Sequence, residues 1–296
     1  MKPSYLIILL VMNFFWAAVY SAYKLLGHDL PSGAIVTLRF GLAGLILPIA
    51  WHWLPGAAPR GRDLLITCGM GLMLYVGGQR LQVYGNQIGS AGNSAVLMAV
   101  EPLLTSVAAA IFLREHVGPR RLGGFVLGMS GVGLLNGVGR ADFQWTSMSA
   151  SLIFLSSFVC EAAYSVMGKP IVTRASPMKM LAISMLVGTA ANLLIDGHDT
   201  FAKAQSLGLN AWLLIFAMAV ISTAVGYSVW FIVIRDCPIN VAALTIFSQA
   251  VFGVIIAAVW LREKLHWGQL WGSLAILAGL VLGLSRQIQR EPAEHN

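Results

Sequence analysis

Apolar residues fill this chain in long blocks, and polar positions fall mainly in the short gaps between them. The blocks cover residues 4–25, 32–53, 64–86, 91–113, 118–136, 149–169, 177–196, 210–234, 241–261 and 266–286. Most are close to the roughly 20 residues that a helix needs to cross a bilayer. The gaps carry Pro, Gly, Asn or charge, as helix ends do. The pattern therefore predicts an all-α polytopic membrane protein of ten transmembrane helices. The third and eighth blocks hold the most polar groups, and the fifth is short for a full span. The longest stretch read as non-helical, DGHDTFAKAQSLGLN, is too short to fold alone.

Composition narrows the class. The chain is 57% hydrophobic and 10% charged, with a mean hydropathy of +0.76, whereas soluble domains are about 25% charged. The net charge of +7 comes without a basic cluster long enough to track phosphates, so no nucleic-acid partner is implied. The charges read instead as topology signals. With the N-terminus in the cytoplasm, twelve lysines and arginines fall on the inner side and five on the outer, while Arg39 and Arg80 lie within helices. This positive-inside bias predicts that both termini are cytoplasmic. The first block is too long for a signal-peptide core and lacks a small-x-small cleavage site, so it reads as a retained helix. Cys68, Cys160 and Cys237 sit in separate apolar segments without paired spacing, as buried small hydrophobes do.

A repeat sets the architecture. Sliding the sequence by 148 residues lays AAAIFLREHVGPRRLGGFVLGMSGVGLL (108–135) over IAAVWLREKLHWGQLWGSLAILAGLVLG (256–283). Leu113-Arg114-Glu115 then matches Leu261-Arg262-Glu263, and Gly124 and Gly131 match Gly272 and Gly279. Five helices per half, an odd number, means that residues 1–140 and 141–296 enter the membrane with opposite orientation. Such inverted repeats are a transporter architecture, with the substrate site near the midplane between the halves.

EPLLTSVAAAIFLREHVGPRRLGGFVLGMSGVGLL resembles the repeated segment of the drug/metabolite transporter superfamily, EamA-like branch. LRFGLAGLILP with Arg39 is similar to that family's second helix, and FFWAAVYSAYK to its first. The resemblance covers nearly the whole chain. It implies a 5+5 inverted-repeat secondary transporter, a cavity lined by helices 1, 3, 4, 6, 8 and 9, and export of small metabolites across a bacterial inner membrane. Some relatives import solutes. One departure stands out: the position matching Glu101-Pro102 holds Gln249-Ala250, which argues against a mechanism needing a symmetric carboxylate pair.

Polar residues inside the blocks mark candidate chemistry. Glu101 is the sole charged residue between Ala91 and Leu113, and a glutamate at that depth costs a few kcal/mol. It lies roughly 15 Å from the outer end of its helix, within reach of Arg39 or Arg80. It forms either a packing ion pair with one of them, or a site for a proton or a substrate ammonium beside the helix break at Pro102. Glu161 either faces the cavity or turns toward Lys169 or Arg174 near the cytoplasmic end, and the sequence favours the second, structural reading. Glu115 and Glu263 read as salt bridges or turn stabilisers at helix ends. Gly124, Gly128 and Gly131 read as packing glycines. Trp16 and Tyr20 share one helical face, as do Tyr75 and Gln79 with Gln82 and Asn86 beyond. Together with Tyr164, Tyr227, Trp230 and Gln249 they outline a possible cavity, against the alternative that the aromatics face lipid.

These residues suit an exporter of an amino acid or related zwitterionic metabolite. Glu101 would take the ammonium, Arg39 or Arg80 the carboxylate, and aromatics the apolar part, with or without proton exchange. The alternative is efflux of lipophilic cations. The chain has no HExxH, paired Asp cluster, nucleophile elbow, Gly-rich phosphate loop or metal-ligand spacing, so neither an enzyme nor a cofactor or metal is implied. The partners implied are a small-molecule substrate and the bilayer, with protons as well where Glu101 exchanges them. Both a monomer and a homodimer remain open.

Overall fold

The computed structural model describes residues 3–49, 51–101, 104, 119–135, 138, 145–237, 242, 244–263 and 267–290. Pro102, Arg114 and Glu115 lie outside them. The helices are α1 (Pro3–Leu26), α2 (Ser32–Ile49), α3 (Arg62–Ile88), α4 (Ala91–Leu97), α5 (Pro119–Leu135), α6 (Trp145–Val172), α7 (Pro177–Gln205), α8 (Leu209–Asp236), α9 (Phe247–Trp260) and α10 (Trp267–Arg290). No strand occurs among the described residues. Six helices there (α1, α2, α3, α6, α7 and α8) are long and apolar enough to cross a membrane, so this is a multi-pass membrane protein. α4 continues into a 3₁₀ turn at Met98–Val100, and α9 is preceded by one at Leu244–Ile246.

Four helices differ from the sequence reading. α2 ends at Ile49, one residue after Pro48, and Trp51 turns back on it while Lys179 sits 5.4 Å above its ring. The stretch DGHDTFAKAQ, read as non-helical, continues α7 beyond a kink at Asp196 (φ −141°, ψ 26°). The kink is held because Asp196 Oδ2 accepts from Arg80 at 2.5 Å and Asn192 Oδ1 from the same guanidinium at 2.8 Å. α3 and α8 each contain a π-helical segment, Leu72–Gly78 and Met218–Val225, which apolar periodicity does not reveal.

With little hydrophobic force to drive helices together in lipid, close packing through small residues takes over. α5 and α10 meet at their glycines. A Cβ on Gly131 would lie 2.8 Å from the Gly272 carbonyl, and one on Gly279 would lie 2.6 Å from the Gly124 carbonyl and 2.7 Å from the Gly128 nitrogen. α2 packs on α7 through Gly41 and Gly44, and α3 on α6 through Gly78 and Gly85. α4 packs on α9 where Gly253 faces Ala95. At one end of the bundle Arg174 donates twice to Asp63 (2.8 and 3.2 Å). At the other, Glu263 accepts from the Ala91 and Gly92 amides (2.9 and 3.0 Å) and Ser90 from Asn93. These contacts satisfy the open N–H groups of α4.

Candidate functional site

A cavity of about 70 Å³ lies among α1, α2, α3, α6, α8 and the inner turns before α9 and after α4. Its size is well below the roughly 300–1,000 Å³ of typical small-molecule sites. One wall is aromatic: Trp16 packs edge-on against Tyr227 (6.2 Å between centroids) and Trp230 (6.4 Å). Glu101, Glu161 and Arg39 also line the space.

Each charged group has its own setting. Arg39 Nε donates to Thr223 Oγ1 at 2.7 Å, a second nitrogen donates to the Tyr23 hydroxyl, and the guanidinium stacks 4.7 Å from the Phe40 ring centroid. Glu161 Oε1 accepts from Gln79 Nε2 at 2.5 Å and Gln82 Nε2 at 3.2 Å. Glu101 is buried, and among the described residues it makes no ion pair or hydrogen bond, so its carboxyl is turned to the cavity.

A polar strip completes the site. Tyr20 donates to Gln249 Oε1 at 3.3 Å, Gln249 Nε2 to Asn13 Oδ1 at 2.7 Å, and Asn13 to Thr245 at 3.0 Å. Tyr164 shares hydrogen bonds with Tyr75 (3.2 Å) and Ser184 (2.8 Å).

Of the residues singled out from the sequence, Trp16, Tyr20, Arg39, Glu101, Tyr164, Tyr227, Trp230 and Gln249 line this one cavity. Tyr75 and Gln79 stand behind it, in contact with Tyr164 and Glu161. Arg80 is elsewhere. Its partner is Asp196, an acid the sequence reading placed in a loop, and neither Arg39 nor Arg80 forms an ion pair with Glu101 among the described residues. Glu161 corrects the sequence reading most. It lines the cavity instead of turning to Lys169 or Arg174, and Arg174 pairs with Asp63. Asn13, a lone carboxamide in the first apolar block, was the available signal for the strip and was passed over.

Long apolar helices around a buried pocket of mixed charge define a multi-pass membrane protein with an internal polar site. The EamA-like transporter family matches the chain twice, over residues 3–137 and 148–285, and the chain belongs to that family. A probable terminal-alkyne amino-acid exporter of Streptantibioticus cattleyicolor is 24% identical over 98% of this chain and 95% of its own. A probable amino-acid metabolite efflux pump of Salmonella typhimurium is 24% identical over 96% of this chain and 95% of its own. A crystal structure of a protein 16% identical superposes over all of both chains with a TM-score of 0.68, a likeness of fold.

Proposed function

We propose that the protein exports a small, amine-bearing amphipathic metabolite of the amino-acid type across a bacterial inner membrane by alternating access. The observation that carries this is the single cavity in which two carboxylates and one guanidinium share the space with an aromatic wall. Glu101 and Glu161 take the solute's ammonium, Arg39 orients its carboxylate, and Trp16, Tyr20, Tyr227 and Trp230 pack its apolar part. The names of the two exporter relatives support the solute class.

The two carboxylates also suggest a coupling scheme. At the 148-residue spacing, Glu161 corresponds to Asn13 and Glu101 to Gln249, and those two amides are hydrogen-bonded across the polar strip. The same relation would bring the two carboxyls face to face. One proton shared between them balances the charge of Arg39. A zwitterionic solute is neutral overall, so the occupied site stays neutral only while that proton is kept, which ties protonation of the pair to occupancy of the cavity.

The architecture in this reading is ten helices in two inverted halves, 1–140 and 141–296, with both termini cytoplasmic. The reciprocal contacts of Gly131 with Gly272 and of Gly279 with Gly124 support it, since a two-fold axis makes such paired contacts. The two family matches support the same division.

The test compares extracellular metabolites from cells expressing the wild-type protein and Glu101→Gln at equal membrane levels. A compound released by the wild type alone supports the reading. Release by both variants removes Glu101 from the cycle, and release by neither overturns export. A second reading, efflux of lipophilic cations, is favoured by the engagement of Arg39 with Tyr23 and Thr223. Resistance to quaternary ammonium compounds without amino-acid release would select it.

A further inference from the structure

We infer that the π-helical segments of α3 and α8 are the hinges of the transport cycle. Trp16 and Tyr164 are the positioning residues that tie the contents of the cavity to them. The inference rests on the transporter reading above and adds which side chains convert occupancy into movement.

The geometry starts at α8. Trp16 lines the cavity, yet its indole N–H leaves the cavity to donate to the Ser222 carbonyl at 2.7 Å, inside the π segment Met218–Val225. Gly226 makes room for this: a Cβ there would lie 2.9 Å from the indole nitrogen. Arg39, also in the cavity, bonds the next residue, Thr223, whose hydroxyl in turn donates to the Met218 carbonyl five residues back. Two cavity side chains thus hold consecutive residues of one irregular turn.

α3 carries a related arrangement, in which the cavity side chain meets a side chain of the π segment and not its backbone, one position further along. At the 148-residue spacing Tyr164 corresponds to Trp16, and Tyr75 to Thr223. Tyr164 lines the cavity and its hydroxyl meets that of Tyr75, inside the π segment Leu72–Gly78. The Tyr75 carbonyl accepts from Asn192 at 3.0 Å. An indole and a phenol are unrelated groups, so a shared amino-acid preference does not account for the recurrence. A shared task does.

A π turn holds one residue more than an α turn, and such segments recur at functional sites. Releasing it rotates the helix beyond by about 100°, one residue's worth. Beyond the α8 segment lie Tyr227 and Trp230, the aromatic wall. Beyond the α3 segment lie Gln79 and Gln82, the donors to Glu161. A change in either hinge therefore rebuilds the part of the cavity that grips the solute, and a solute that shifts Trp16 or Tyr164 loosens the hinge.

The experiment uses the full-length protein in lipid nanodiscs and proteoliposomes, with Trp16→Phe and Tyr164→Phe. Each keeps the ring and deletes one hydrogen-bonding group. Amide hydrogen exchange without solute is expected to speed up several-fold, on the order of one hydrogen bond's worth, in 218–226 for Trp16→Phe and in 72–79 for Tyr164→Phe. The crossed pattern is one that general loosening does not give. Gly226→Ala, which presses the indole away without removing it, is expected to reproduce the Trp16→Phe pattern. It also serves if Trp16→Phe fails to fold.

Counterflow of labelled L-phenylalanine is then expected to fall about fivefold or more in maximal rate, with the half-saturating concentration within about twofold, as for a lost gating step. Unchanged exchange, or equal speeding in both segments, overturns the inference. So does a crossed pattern with wild-type counterflow. If the wild type carries no phenylalanine, the solute reading fails, and the exchange pattern alone decides on the hinges.

Discussion

Glu161 shows how one side chain changes the reading of a site. A carboxylate held by two carboxamides beside Glu101 makes the cavity net acidic, suited to a cation or an ammonium group. Under the coupling scheme the two acids act as a unit. Glu161→Gln is therefore expected to reduce export by about tenfold or more, as Glu101→Gln does, and the double substitution to add little further, the mark of residues acting together. Additive losses, measured as release rates at equal expression, would separate their roles. Glu101 was legible in the sequence because nothing else charged shares its helix. The direction Glu161 faces was not, because its donors sit on α3 and a helix buried on most sides has no polar face to read. The partner of Arg80 was hidden for a related reason: Asp196 follows the last apolar residue of its block and reads as the start of a loop.

At the level of elements, the glycines of α5 and α10 bring backbone against backbone, where there is little that can yield. Gly131→Ala and Gly279→Ala are each expected to cost about 1–3 kcal/mol, typical of overpacking, and by similar amounts because the contact is reciprocal. Thermal unfolding in detergent would check both. A large loss at one glycine alone would count against the two-fold relation. Most helix positions followed from block length, within a few residues. The π segments did not, because an extra residue per turn leaves the apolar content unchanged. The continuation of α7 was hidden because Asp196, Gly197, His198 and Asp199 are poor helix formers taken alone, and the bonds from Arg80 to Asp196 and Asn192 that hold the kink come from another helix.

For the whole molecule, a second cavity next to the central one bears on how the site is reached. This cavity of about 410 Å³, lined by Lys24, Ser94, Ser151, Glu263 and Gln269 among others, lies at the end that the positive-inside bias assigns to the outside. Phe154 belongs to this outer space and Tyr20 to the central one, and their rings meet edge to face at 5.8 Å. Tyr20 is fixed in turn by its bond to Gln249. The two rings thus meet where the central site and the outer polar space approach each other. With its native cysteines replaced, Ser151→Cys is expected to react with a membrane-impermeant maleimide added outside intact cells, and Ser165→Cys in the central cavity at least about tenfold more slowly. Adding Tyr20→Ala takes away one of the two rings and brings the Ser165→Cys rate toward that of Ser151→Cys, as expected when a gating side chain is removed. Labelling of Ser151→Cys from the cytoplasmic side alone would invert the orientation. Equal labelling of both positions before Tyr20 is changed would show that the aromatic pair is no barrier.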